Sequence, residues 1–152
     1  SYVQQTINAR LTNEEQKEVS YWSQQMNNGD TSHATRLKRG MALAPAYVIN
    51  KKYIPVIAER LTQGNAVINQ LIWNNLRKIK FDCAAKLRSF TKPVLIIQGK
   101  QDIIKEATAL KAKQIFLNAK LVLLNNCSHY GWLDAPEEYM KEVKSFIAKI
   151  NN

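Results

Sequence analysis

Cysteine is scarce. Cys83 and Cys127 are the two present, too few for a disulfide framework. Together with His33 and His129 they do not fall at metal-ligand spacing, so no metal site is expected, and each cysteine reads as a buried or half-exposed free thiol. No apolar run approaches the roughly 18–20 residues that span a bilayer, so no membrane partner is expected. The opening stretch SYVQQTINAR has no apolar signal core and no initiator Met. The native N-terminus is therefore read as absent and any address upstream as invisible, with the cytoplasm as the default compartment. Acidic residues are also short: 12 Asp and Glu stand against 22 Lys and Arg, a net charge of +10. Such an excess can serve an anionic partner. Here no five-residue window is solidly basic and no nucleic-acid motif occurs, so the lysines read as solvated faces and nucleic acid is not expected as a ligand.

The 152 residues suit one domain with a real core. Residues 1–10 are polar and carry little signal. Thr12-Asn13-Glu14-Glu15 is a capping box. It opens a helix with Val19, Trp22 and Met26 on one stripe, ended by Asn28-Gly29. Asp30 or Thr31 caps a second helix that runs to about Leu43, where Pro45 stops it. Asn50 caps a third, with Pro55 in its first turn and Tyr53, Ile54, Ile57, Ala58 and Leu61 on one side; Gly64 closes it. Asn65 opens a fourth, with Ile68, Leu71, Ile72, Asn75, Leu76 and Ile79 at helical spacing. A short helical turn is expected over residues 82–87.

The pattern changes at Pro93. Val94-Leu95-Ile96-Ile97 and Leu121-Val122-Leu123-Leu124 are short, continuously apolar runs, which fit strands buried on both faces. A helical stretch over 105–117 separates them. A final helix begins near Pro136 and presents Tyr139, Met140, Val143, Phe146, Ile147 and Ile150. The fold class is therefore α/β: a helical region over 1–90, then β-α-β-α over 91–152, with a parallel right-handed crossover. Two parallel strands make a poor sheet, since such strands want neighbours on both edges. Further strands from outside the chain are the natural remedy, which reads the sequence as a fragment of a longer protein.

Each strand run leads into a polar turn. The first turn carries Asp102, in QGKQD, and the second carries His129, in CSHYGW. Taken singly, Asp102 is an ordinary turn residue and His129 an ordinary loop histidine. In this order, after consecutive strands, they are an acid and a base. The pattern PVLIIQGKQD, one helix, a strand, then SHYGWLDAPEEYMKEVKSFI resembles the C-terminal end of the α/β-hydrolase superfamily, whose triad follows the order Ser, Asp or Glu, His. Asp134 and Pro136 stand where an acid and a proline often precede that family's closing helix. The run RLTNEEQKEVSYW with the helices after it resembles the cap of the proline-iminopeptidase-like branch. The chain departs from the family in having Ser128 where many relatives have Gly. None of the five glycines brackets a serine as Gly-x-Ser-x-Gly, so the nucleophile elbow is absent.

The resemblance implies a serine hydrolase that cleaves an ester or amide, with an N-terminal prolyl peptide bond as one candidate. It implies no metal or cofactor. Asp102 would orient His129, and His129 would act as base and then acid. Ser128 and Cys127 lie beside His129 but not on a strand-to-helix elbow, so the nucleophile is placed outside the chain and the chain alone is expected to be inactive. Its partners would be a small-molecule ester or peptide substrate, and either the N-terminal half of the same parent protein or a second copy of the chain. Ile103 and Tyr130 flank the pair and are the candidates for substrate contact. Tyr21, Trp22, Tyr47, Tyr53 and Trp73 read mainly as cap core. Glu14, Glu15, Glu18 and Glu59 are weaker candidates for holding a substrate amine. The alternative is a non-catalytic interaction or oligomerisation module that pairs through its strand edge and binds anions on its basic surface.

Overall fold

The computed structural model describes residues 2–150. It opens with a helix the polar text concealed, α1 (Tyr2–Arg10), whose Ile7 is buried together with Leu11 just beyond it. Val3, Ile7 and Leu11 share one helical face. The capping box at Thr12 is formed. The Glu15 N–H donates to the Thr12 hydroxyl at 3.2 Å, and the Thr12 N–H donates to the Glu15 carboxylate at 2.7 Å. It starts α2 (Asn13–Asn27), and Gly29 follows the helix at φ +104°, a conformation that costs a residue with a Cβ.

Helix α3 (His33–Leu43) is capped by Ser32, slightly later than expected. Asp30 supports that cap instead, accepting from the Ser32 N–H at 3.1 Å and the Thr35 hydroxyl at 2.6 Å. Pro45 turns the chain through a 3₁₀ turn, Ala44–Ala46, and Asn50 caps a second one, Lys51–Tyr53, that runs into α4 (Ile54–Thr62). Helices α3 and α4 cross closely: a Cβ on Gly40 would lie 2.6 Å from the Ala58 carbonyl oxygen. Asn65 then caps α5 (Ala66–Lys78), accepting from the Ile68 N–H at 3.0 Å, and α6 (Ala84–Leu87) is a single turn.

The second part is mixed α/β as expected. Strand β1 (Val94–Gly99), α7 (Glu106–Ile115) and β2 (Ala119–Leu124) are followed by a turn of helix, α8 (Gly131–Asp134), and the closing α9 (Pro136–Ile150). The strands are parallel, in register from Val94 opposite Ala119 to Gly99 opposite Leu124. Among the described residues they form the whole sheet.

Two expectations about burial change. Residues 94–98 are half-buried rather than enclosed, and only Gly99 and Leu124 at the strand ends are fully covered. With two strands, the apolar side chains have fewer neighbours than a parallel sheet normally supplies. The apolar stripe of α5 also fails to form core. Ile68, Leu71, Ile72, Trp73 and Ile79 are exposed, because helical spacing fixes which residues share a face but not whether anything packs against it.

The core lies where the helices meet the two turns after the strands. One cluster joins Ile7, Leu11, Leu43 and Ala46 to Ile103, beside Asp102. A second joins Ala44, Val48, Ile57 and Ala58 to Tyr130, beside His129. The two turns are themselves pressed together at Gly99, where a Cβ would stand 2.2 Å from the carbonyl oxygens of both Cys127 and Ser128. Gly99→Ala is therefore expected to destabilise the chain by about 1–3 kcal/mol or more. Gly64→Ala, whose Cβ would meet nothing nearer than 3.7 Å, should stay within about 0.5 kcal/mol of the parent. Chemical denaturation of both variants checks the contrast.

Candidate active site

The strand ends carry the two turns to each other. The Lys100 N–H donates to Leu124 O at 2.9 Å, extending the ladder, and the Asp102 N–H donates to Gly99 O at 3.1 Å, closing the first turn. The turns are then stapled. The Gln101 N–H donates to Cys127 O at 2.9 Å, and the Cys127 N–H donates to the Gln101 side-chain oxygen at 3.1 Å. Asn126, at φ +46°, bends the chain sharply just before the staple, a conformation asparagine tolerates better than most residues.

This framework brings Asp102 and His129 together. The His129 Nδ1–H donates to Asp102 Oδ1 at 2.9 Å. The same oxygen accepts from the Ile104 N–H at 3.0 Å, which fixes the carboxylate. A carboxylate only accepts, so the contact places a proton on Nδ1 and makes Nε2 the nitrogen that carries the lone pair in the neutral ring. Among the described residues nothing hydrogen-bonds to Nε2. The His129 backbone N–H donates to Tyr47 O at 3.1 Å, and the rings of Tyr47 and Tyr130 stand edge-on to the imidazole at 5.8 and 5.2 Å between centroids. The side chain of Asp102 is 9% exposed and that of His129 is 36% exposed. Both border an open cavity of about 320 Å³ whose wall includes Leu95, Ile97, Trp132 and Tyr139.

Two charged residues hold the histidine turn, and neither role follows from local sequence. The Arg10 guanidinium, at the end of α1, donates to Ser128 Oγ at 2.7 Å, to Ala46 O at 3.0 Å and to Gln101 O. Burial lowers its pKa, with Asp102, Tyr2 and Asp134 opposing that shift. Asp134 sits on the other side. One oxygen accepts from the Ser128 N–H at 2.8 Å, and the other accepts from the N–H groups of Ile49 and Asn50 at 2.9 and 3.0 Å. The resemblance singled out Asp134 by position; nothing in the polar stretch 1–10 marked Arg10.

The remaining candidates take other places. Ile103 is 3% exposed and Tyr130 6% exposed, each packed into one of the core clusters, so their apolar bodies serve packing and neither lines the cavity beside the pair. Tyr47 does approach His129, whereas Tyr21 and Trp73 are exposed. Glu15 is held in the capping box and Glu59 pairs with His33 at 2.7 Å. Ser128 is 1% exposed, with its hydroxyl engaged by Arg10. Cys127 is fully buried, and burial pushes its thiol up to about 11, with Asp134, Asp102 and Glu138 adding to the shift, so at neutral pH it stays protonated and a poor nucleophile.

No family model matches the chain. Sixty-six of its residues, 43% of the chain, are 35% identical to a pimeloyl-[acyl-carrier protein] methyl ester esterase of Nitrosospira multiformis, covering 25% of that protein. Over 60 residues it is 38% identical to the enzyme of the same name from Nitrosomonas europaea, covering 39% of this chain and 24% of that one. The matched stretch thus spans about a quarter of these relatives' length. Among solved structures, a bacterial membrane phospholipase A superposes with a TM-score of 0.57 at 18% identity, over 76% of this chain and 39% of that one. The 2-hydroxy-6-oxo-6-phenylhexa-2,4-dienoate hydrolase of Rhodococcus sp. strain RHA1 gives 0.56 at 16% identity, over 80% of this chain and 46% of that one. The superposed structures share an α/β-hydrolase fold with this chain. The sequence likeness is to two methyl ester esterases, over less than half of this chain.

Arg10→Ala removes three hydrogen bonds from a partly buried cation, one of them to a buried hydroxyl, and is expected to cost about 2–3 kcal/mol. Denaturant midpoints give the cost, and faster exchange of the His129 Nδ1 proton by NMR reports the loosened turn. Cys127 should resist iodoacetamide in the native chain at pH 8, while half-exposed Cys83 reacts. Because the folded thiol lies above its ordinary value of 9.0, the stability it contributes is complete below that pH and lost as pH rises toward about 11. Cys127→Ala should flatten that loss in thermal melts taken across pH 8–11.

Proposed function

We propose that Asp102 and His129 are the acid and base of a Ser–Asp–His triad, and that this chain is the cap and C-terminal catalytic segment of a serine hydrolase. The observation that carries the reading is the His129 Nδ1–Asp102 contact, with Nε2 unengaged beside a cavity. In such a site Nε2 takes the proton of a serine hydroxyl as its oxygen attacks the substrate carbonyl. The histidine then returns that proton to the leaving group, while Asp102 holds the ring and stabilises its cation. Water, deprotonated by the same nitrogen, releases the acyl group.

The nucleophile and the oxyanion donors are assigned to a segment outside these 152 residues. Ser128 is tied to Arg10 and Cys127 is buried and protonated, so neither suits the role. The half-buried strands are the natural seat for that segment, with the N-terminal part of the same parent preferred over a second copy. An ester is the preferred substrate, in keeping with the esterase relatives. The prolyl aminopeptidase reading has less behind it, since Glu15 and Glu59 are committed to local partners.

The test is turnover of p-nitrophenyl butyrate by the product of the full reading frame. His129→Ala and Asp102→Asn are each expected to lower kcat by at least about 10³-fold. Unchanged turnover in either variant would remove the pair from the mechanism. The 152-residue chain alone should hydrolyse the ester no faster than its own His129→Ala variant.

A further inference from the structure

Away from the Asp–His pair, helices α2, α3 and α4 and the start of α5 border an open recess of about 410 Å³. Arg36 and Arg39, three residues apart on α3, both line it. Among the described residues neither has a carboxylate within ion-pairing distance, and the recess has no acidic residue in its wall. Two cations sharing one recess repel each other unless an anion or water screens them. Their hydrogen bonds are sparse. Arg39 Nε donates to Ser23 Oγ at 2.8 Å, Arg36 Nη1 reaches Thr62 O at 3.4 Å, and Arg36 Nε is buried without a partner. The first turn of α5 borders the same space, with Asn65 and Ala66, and Asn69 adds a side-chain amide. Helix starts leave N–H groups unused within the helix and favour negative charge. Met26 and Leu61 make part of the wall apolar.

We propose that this recess binds a small organic anion: a carboxylate or phosphate head between Arg36 and Arg39, with a short apolar body against Met26 and Leu61. Its volume falls in the range of small-molecule sites. Planar guanidinium groups suit both heads, because each can donate two parallel hydrogen bonds to neighbouring oxygens. The proposal does not depend on the hydrolase reading, since it uses no atom of the Asp–His pair.

Isothermal titration of the 152-residue chain with hexanoate and with hexyl phosphate tests it and tells the two heads apart. Saturable binding of at least one, with a Kd on the order of 1 mM or tighter, is expected. Hexanol and hexylamine should bind at least about tenfold more weakly, which corresponds to about 1.4 kcal/mol. Arg36→Gln and Arg39→Gln should each weaken the anion at least about tenfold, and His129→Ala should leave it unchanged. An NMR titration of the unmodified chain covers the case of a misfolded variant: the Asn69 side-chain amide and the arginine Nε–H signals should shift together. No saturable binding of either anion, equal binding of hexanol, or shifts confined to the Asp102 and His129 turns would each overturn the assignment.

Discussion

Everything that places the acid beside the base depends on how close two turns can come at the end of the sheet. Gly99 has no side chain because the carbonyls of Cys127 and Ser128 occupy the space one would fill. That contact lets Gln101 exchange hydrogen bonds with Cys127, and the Asp102–His129 distance of 2.9 Å follows from it. Parallel strands deliver both turns at the same edge of the sheet, a general property of this architecture. The close approach converts that shared edge into a hydrogen bond.

The helical part does more than sit over this edge. It completes the two turns from behind. Ile103 and Tyr130, the neighbours of the pair, are each swallowed by a cluster built mainly from helical residues. Buried polar groups at the seam are satisfied by charged partners rather than left bare, which is what makes such a junction stable rather than costly. Ser128 shows this best, with its hydroxyl on Arg10 and its N–H on Asp134.

What could be read from the sequence was whatever local chemistry decides. The Thr12 capping box, the Asn65 cap, Pro136 at the head of α9 and the two apolar strand runs each have a signature within a few residues, and each formed. The juxtaposition of Asp102 and His129 was legible from the order of the two strands and from the family resemblance of the turns after them; the close approach at Gly99 that completes it was not. Helix α1 was missed because glutamines and asparagines hid the spacing of Val3, Ile7 and Leu11, although that spacing was there to be counted. Arg10 carried no signal at all: its three acceptors come from residues 36 to 118 positions away. The overestimate of strand burial has the opposite origin. Apolar runs report how much covering a segment wants, and the residues present here supply only part of it.

Asp134 gathers backbone N–H groups from Ser128 and from Ile49 and Asn50, while the His129 N–H is held by Tyr47 O. The stretch from Ala46 to Asn50 is thereby riveted to the turn that carries the base. Arg10 fastens a second, separate part of the helical region to the same turn through Ser128, and to the turn stapled against it through Gln101. Any displacement of either stretch would pull directly on the backbone that aims the imidazole.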